Sequence, residues 1–312
     1  MRVGFIGLGT MGSHRALNVL KGGHALVVHD INRDAVAPHL DAGATWADTP
    51  RQVMDTSDVV FTSLPGPPEV QAVALGEHGL LHGVRPGKVY FDLSTNSPTL
   101  IRHIHDEFAK VGAHVLDAPV SGGPHGARSR RLAIWVGGDS AMYDQYKHVL
   151  DAIGDQPYYV GPIGAGAIAK LVHNCTGYVL QTALAETFSM GIKAGVDPLV
   201  LWQAVRHGAL GRRQTFDGLT QHFLPGRFDP PDFALRLARK DVSLAVDVGR
   251  EFDVPMRLAT LTLAELTEAL NRGWGQRDSR VAMLLQAERA GIDVHVPPET
   301  IQEILDKDRP GA

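Results

Sequence analysis

Residues 2–6, RVGFI, run directly into Gly7-Leu8-Gly9-Thr10-Met11-Gly12. A short, nearly continuous apolar run predicts a strand buried on both faces. The pattern that follows predicts a helix, with Met11, Ala16, Leu17 and Leu20 leaning to one side and Gly22-Gly23 as the stop. A strand, a glycine turn and a helix in immediate succession restrict the chain to folds in which helices cover a parallel sheet. In a chain with 34 glycines the glycine spacing alone carries little weight, and the flanking pattern supplies the rest. A second apolar run, Ala25 to Val28, ends in His29-Asp30. That puts an acid about 20 residues past the glycines.

This arrangement is the dinucleotide-binding fingerprint of a Rossmann-type fold. Gly7 permits the tight turn, Gly9 admits a pyrophosphate to the backbone, and Gly12 lets helix and strand pack closely, with Thr10 and Met11 completing the cofactor-binding loop. The pyrophosphate is expected on the helix N–H groups. Asp30 can accept from the ribose hydroxyls and would repel a 2′-phosphate. Ile31 follows it where an arginine would hold that phosphate, so NAD is expected over NADP, with Arg33 the residue that speaks for NADP. The alternative for Asp30 is a cap on a helix starting near Arg33.

Strand and helix patterns keep alternating. Residues 58–63 read as a strand leading into the rigid loop Leu64-Pro65-Gly66-Pro67-Pro68. Residues 88–91 lead into Asp92-Leu93-Ser94-Thr95, residues 114–116 into Asp117-Ala118-Pro119-Val120-Ser121-Gly122-Gly123, and residues 132–136 form a further strand. The alternation predicts a parallel, doubly wound sheet, with ligands beyond the carboxyl ends of its strands. Ser121, Gly122 and Gly123 could offer a hydroxyl and bare amides to a carboxylate; a plain glycine-rich turn explains them about as well.

From Gly164 the pattern becomes helical. Residues 166–194 contain no proline and predict a helix of roughly 40 Å. Further helices are expected near 198–208, 233–251, 256–272 and 278–290, with no returning strand. The expected organisation is thus a nucleotide-binding α/β domain over residues 1–163 and an all-helical domain over 164–312. The long helix is apolar over more than one face, which suggests burial in a homodimer or homotetramer. At its start, Lys170 and Asn174 are four residues apart and share a helical face. With Gly164 and Gly166 before it, the helix N-terminus would disfavour the ammonium form of Lys170, and such a lysine can exchange protons near neutrality. The plainer reading is a surface lysine and a helix-capping asparagine.

A formal net charge of −4 argues against nucleic acid or an anionic membrane as main partner. Cys175 is the only cysteine, so no intramolecular disulfide can form. The first apolar run is too short for a signal segment and no stretch approaches a membrane span, so the expected location is cytoplasmic. The 15 histidines show no metal-ligand spacing, and no metal is expected.

Four blocks, GFIGLGTMG at 4–12, DLSTNSP at 92–98, DAPVSGG at 117–123 and GAGAIAKLVHN at 164–174, resemble the β-hydroxyacid dehydrogenases; Arg239-Lys240-Asp241 and GWGQRDS at 273–279 extend the match. The resemblance implies oxidation of a small 3-hydroxy acid, or reduction of its semialdehyde. It implies Lys170 as general acid/base, Asn174 on the substrate, and Ser121, Gly122 and Gly123 on the substrate carboxylate. It places Thr95 near the nicotinamide, Leu64 and Pro65 along the cofactor, and Lys240 beside it. Three features depart from the pattern or call for comment. Arg130 stands where the family has a glycine and reads as part of a solvated basic turn. Arg212-Arg213 is unusual and reads as surface. His173 is similar to the K-x-x-H-N of phosphogluconate dehydrogenases and reads as packing.

Overall fold

The computed structural model describes residues 1–208, 210–211 and 217–307. They form two compact units, Met1–His173 and Asn174–Ala312.

Nine strands build one sheet in the first unit: β1 (Arg2–Ile6), β2 (Ala25–His29), β3 (Thr45–Trp46), β4 (Val59–Thr62), β5 (Val89–Asp92), β6 (His114–Asp117), β7 (Val120–Ser121), β8 (Ala133–Gly137) and β9 (Gln156–Gly161). Their order is β3-β2-β1-β4-β5-β6-β8-β7, with β9 on β8. Strands β1 to β6 pair in parallel. The sheet is not parallel throughout, as the alternation had suggested: β8 runs antiparallel to β6 and β7. A parallel crossover needs roughly a dozen residues or more, and the link from Gly122 to Leu132 is too short for one. Strands β3, β7 and β9 were missed in the sequence, two because they are only two residues long.

Helices α1 (Gly12–Lys21), α2 (Ala37–Asp41), α3 (Pro50–Thr56), α4 (Pro67–Leu75), α5 (Pro98–Ala109), α6 (Gly123–Ser129) and α7 (Ser140–Ile153) connect these strands. Proline opens α3, α4 and α5, where its missing N–H costs nothing. Thr49, Ser97 and Asp139 cap α3, α5 and α7. Side chains alternate across the sheet. Val28, Phe61 and Phe91 enter the core on one face, while their neighbours Val27, Val60 and Tyr90 enter the core on the other. Burial on both faces is why these strands read as unbroken apolar runs.

Helix α8 (Ala165–Lys193) begins in the first unit and continues into the second, where α9 (Pro198–Arg206), α10 (Leu235–Glu251), α11 (Arg257–Ala269), α12 (Met283–Ala290) and α13 (Pro298–Lys307) follow. Trp202, Phe188, Phe223, Leu224 and Ile301 form the core of this unit. Helix α13 was not foreseen; it opens on Pro298 after another proline, and Ile301 anchors it. Among the described residues the second unit has no strand, only an isolated bridge between Ala234 and Asp278. Among them, too, no helix is long and apolar enough to cross a membrane. Arg212 and Arg213 lie outside the described residues.

Candidate active site

The sheet reverses direction of winding between β1 and β4, and the glycine loop lies at that switch point. Gly7 has φ +91°, and a Cβ there would come 2.3 Å from the Ser63 carbonyl oxygen at the end of β4. A Cβ on Gly12 would come 1.9 Å from the Gly7 carbonyl oxygen, so neither position tolerates a side chain. Gly9 is different: it is exposed, and nothing lies within 4 Å of where its Cβ would be. No side chain caps α1, although the Ser13 amide in its first turn donates to the Gly9 carbonyl oxygen at 3.0 Å. An open backbone beside an uncapped helix N-terminus fits a dinucleotide pyrophosphate.

Asp30 is half-buried, and its carboxylate accepts the Leu8 N–H at 2.6 Å and the Asn32 N–H at 2.7 Å. It therefore fixes the glycine loop. The short helix Arg33–Val36 is capped by Asn32, not by Asp30. The Arg33 guanidinium lies over the Trp46 ring, 5.3 Å from its centroid.

A buried polar network joins the ends of β4 and β5. Asp92 accepts from Thr62 Oγ1 at 2.9 Å, Ser94 N–H at 3.0 Å and Asn96 Nδ2 at 2.9 Å. Ser94 Oγ in turn accepts the Leu64 N–H at 2.9 Å. Leu64, Pro65 and Thr95 thus sit on two loops tied to one another. Burial raises the Asp92 carboxyl above the usual range, with those hydrogen bonds opposing the shift.

Ser121 ends β7, Gly122 has φ +137° and Gly123 has φ +61°. Both glycines are exposed, and Gly123 has open space around it. Arg130 ends α6 in the left-handed region at φ 62° and is exposed, a backbone state that favours glycine. His173 packs on Trp135 at 5.2 Å between centroids, and its Nε2 also comes within 3.4 Å of Ser121 Oγ. Its expected packing role is thus joined by a polar neighbour.

The start of α8 is pinned to the sheet. Asp117, at the end of β6, accepts the Gly164 N–H at 2.7 Å and the Ala167 N–H at 2.6 Å. Gly164 and Gly166 are buried, so the first turn of α8 is covered. Gly164 is needed for its φ of +90°, and a Cβ on Gly166 would lie 2.3 Å from the Trp135 carbonyl oxygen. Lys170, half-buried, follows on the next turn. Burial pushes the Asp117 carboxyl up to about 6 against the two amides that hold it down. In its ionised form it offsets the positive helix end invoked for Lys170.

In the second unit, Asn174 Nδ2 donates to Asp241 Oδ2 at 2.7 Å. Lys240 Nζ lies 2.8 Å from Asp241 Oδ1, an ionic contact that lacks hydrogen-bond alignment. Asp241 is fully buried and joins two residues singled out from the sequence, although it was given no role there. Its position next to Lys240 was the available signal. Among the described residues, His222, Asp232 and Asp278 have metal-like spacing. Hydrogen bonds already account for them: His222 Nδ1 meets the Arg227 carbonyl oxygen at 2.6 Å, and Asp278 accepts the Asp232 and Phe233 amides at 3.0 and 3.2 Å.

Comparison with known proteins matches both units. Residues 2–161 match the family model described as the NAD binding domain of 6-phosphogluconate dehydrogenase. Residues 164–287 match the NAD-binding model of NADP-dependent 3-hydroxyisobutyrate dehydrogenase. The chain is 31% identical to 2-(hydroxymethyl)glutarate dehydrogenase of Eubacterium barkeri, over 94% of this chain and 97% of that protein. It is 32% identical to NAD-dependent L-serine dehydrogenase of Pseudomonas aeruginosa, over 91% and 97%. The crystal structure of 3-hydroxyisobutyrate dehydrogenase from Salmonella typhimurium superposes with a TM-score of 0.80 at 29% identity, covering 91% of this chain and 99% of that one. With both units matched and relatives aligned over nearly their whole length, the chain belongs to the β-hydroxyacid dehydrogenase family of NAD(P)-dependent enzymes.

Proposed function

We propose that this protein oxidises the primary alcohol of a C2-substituted 3-hydroxypropanoate to its semialdehyde, or catalyses the reverse, with NAD as cofactor and Lys170 as general acid/base. The observation that carries this reading is chemical. The relatives are named for 2-(hydroxymethyl)glutarate, L-serine and 3-hydroxyisobutyrate. Each of these compounds has a CH2OH group on the carbon that bears a carboxylate, and they differ in the second substituent of that carbon.

The bound nicotinamide supplies the hydride acceptor. In oxidation, neutral Lys170 takes the hydroxyl proton, and Asn174 orients the hydroxyl. Ser121 and the amides of Gly122 and Gly123 hold the carboxylate, which fixes which carbon is presented. Asp241 keeps the Asn174 amide oriented through the 2.7 Å bond. The preference for NAD rests on Asp30, whose negative charge opposes a 2′-phosphate, and on Arg33 being stacked on Trp46. Val172 and Leu180 are exposed apolar residues on α8, which supports assembly through that helix.

NADH formation against a panel of 3-hydroxypropanoates differing at C2, with Lys170→Ala alongside, tests the reading. Turnover on the best substrate is expected to fall at least 100-fold in the variant. Near wild-type turnover would remove Lys170 from the role. A phosphogluconate-type activity is the second reading, favoured by the description of the family model over residues 2–161. Including a sugar acid phosphate in the panel separates the two.

A further inference from the structure

Arg15 lies on α1, one turn inside the glycine loop, and is 2% exposed. Its Nε donates to the Met11 carbonyl oxygen at 3.0 Å, and one terminal nitrogen donates to Ser63 Oγ. The guanidinium is therefore drawn back toward the first turn of α1 and the end of β4. Its other terminal nitrogen, Nη1, is buried and has no hydrogen-bond partner. Burial pulls the group down to about 10, with the charge of Asp92 acting in the opposite sense. Asp92 does not bond to it; its oxygens accept from Thr62, Ser94 and Asn96.

A buried cation with an unused donor and no paired carboxylate is costly, and proteins rarely keep one without a counter-charge. Here a second negative charge would lie beside a helix N-terminus without a side-chain cap and a bare glycine backbone, both of which attract anions. The cofactor of this family brings a pyrophosphate to such a loop. A low-dielectric position makes the arginine's field stronger than that of a surface charge, and less screened by salt.

We propose that Arg15 is a cofactor-binding residue of this chain, attracting the phosphates of the dinucleotide from beneath the glycine loop and gaining from them a second negative charge beside that of Asp92, which does not bond to it. The spacing of the glycines gives no hint of this, because residue 15 falls outside the G-x-G-x-x-G pattern. The assignment holds whichever hydroxy acid the enzyme takes and whichever residue moves its proton.

The test is calorimetric titration of the 312-residue chain and of its Arg15→Met variant with ADP-ribose, which carries the pyrophosphate, and with adenosine, which does not. Methionine fills similar apolar volume without charge. ADP-ribose is expected to bind Arg15→Met at least tenfold more weakly, and adenosine within twofold of wild type. The proposal is overturned if ADP-ribose affinity stays within twofold, or if both ligands lose affinity by the same factor, which would mean a distorted loop. Circular dichroism checks folding. Should Arg15→Met fail to fold, Arg15→Gln, which keeps donors but no charge, is read against the same limits.

Discussion

The carboxylate of Asp117 accepts the amide of Ala167 at 2.6 Å, fastening the first turn of α8 to the end of β6. The price of burying this acid outweighs the hydrogen bonds it receives, and its carboxyl sits near 6 instead of 3.8. A raised acid stabilises the fold most below its unfolded value and loses that contribution as pH rises through the folded value. The advantage of wild type over Asp117→Asn is therefore expected to fall by on the order of 2–3 kcal/mol between about pH 4 and pH 7. Urea denaturation at several pH values measures it, and a constant difference would contradict the assignment. On the proposed role of Lys170, the same variant should shift the kcat/KM profile to lower pH, since a negative charge is lost from the start of its helix.

Asp241 is a shared partner of Asn174 and Lys240. Replacing it with alanine removes an acceptor from the half-buried Asn174 and Lys240, at a cost of about 1–3 kcal/mol. Asparagine keeps an acceptor for Asn174 and should recover part of this. Denaturation curves for both variants check the order. An alanine variant as stable as wild type would show that the contact contributes nothing.

Asp30 holds the loop amides of Leu8 and Asn32, and on the proposed preference for NAD it also opposes a 2′-phosphate. Asp30→Ala is expected to narrow the ratio of kcat/KM for NAD over NADP by about tenfold, because the charge that opposes a 2′-phosphate is gone. An unchanged ratio would leave Asp30 as a loop anchor only. Absolute activity should fall with both cofactors, since the loop loses its anchor.

Arg130 occupies a left-handed backbone state at the end of α6 and is exposed. Glycine removes the steric cost of that state, so Arg130→Gly should stabilise the protein by about 1 kcal/mol. The melting temperature reports it. A drop would mean that the arginine side chain makes a contribution larger than its backbone cost.

The local patterns of the chain were enough for the βαβ start, the reach of the long helix and the two-part organisation, because hydrophobic periodicity and glycine turns act over a few residues. They named the glycine loop, Asp30, Ser121, Lys170 and Asn174 as candidates for the same reason: each lies in a short motif whose chemistry can be read in place. What they did not contain were relations across long separations. Asp117 meets Ala167, Asp241 meets Asn174, and Arg15 meets Ser63 only once the strands are ordered and the helices packed. The antiparallel turn of β8 escaped notice because pairing direction depends on the length and path of a connection, which the apolar pattern of a strand does not encode. Burial separated the glycines as well. Gly9 is open to a ligand, while Gly166 makes room for the Trp135 backbone, a difference that two identical residues can acquire only from their surroundings.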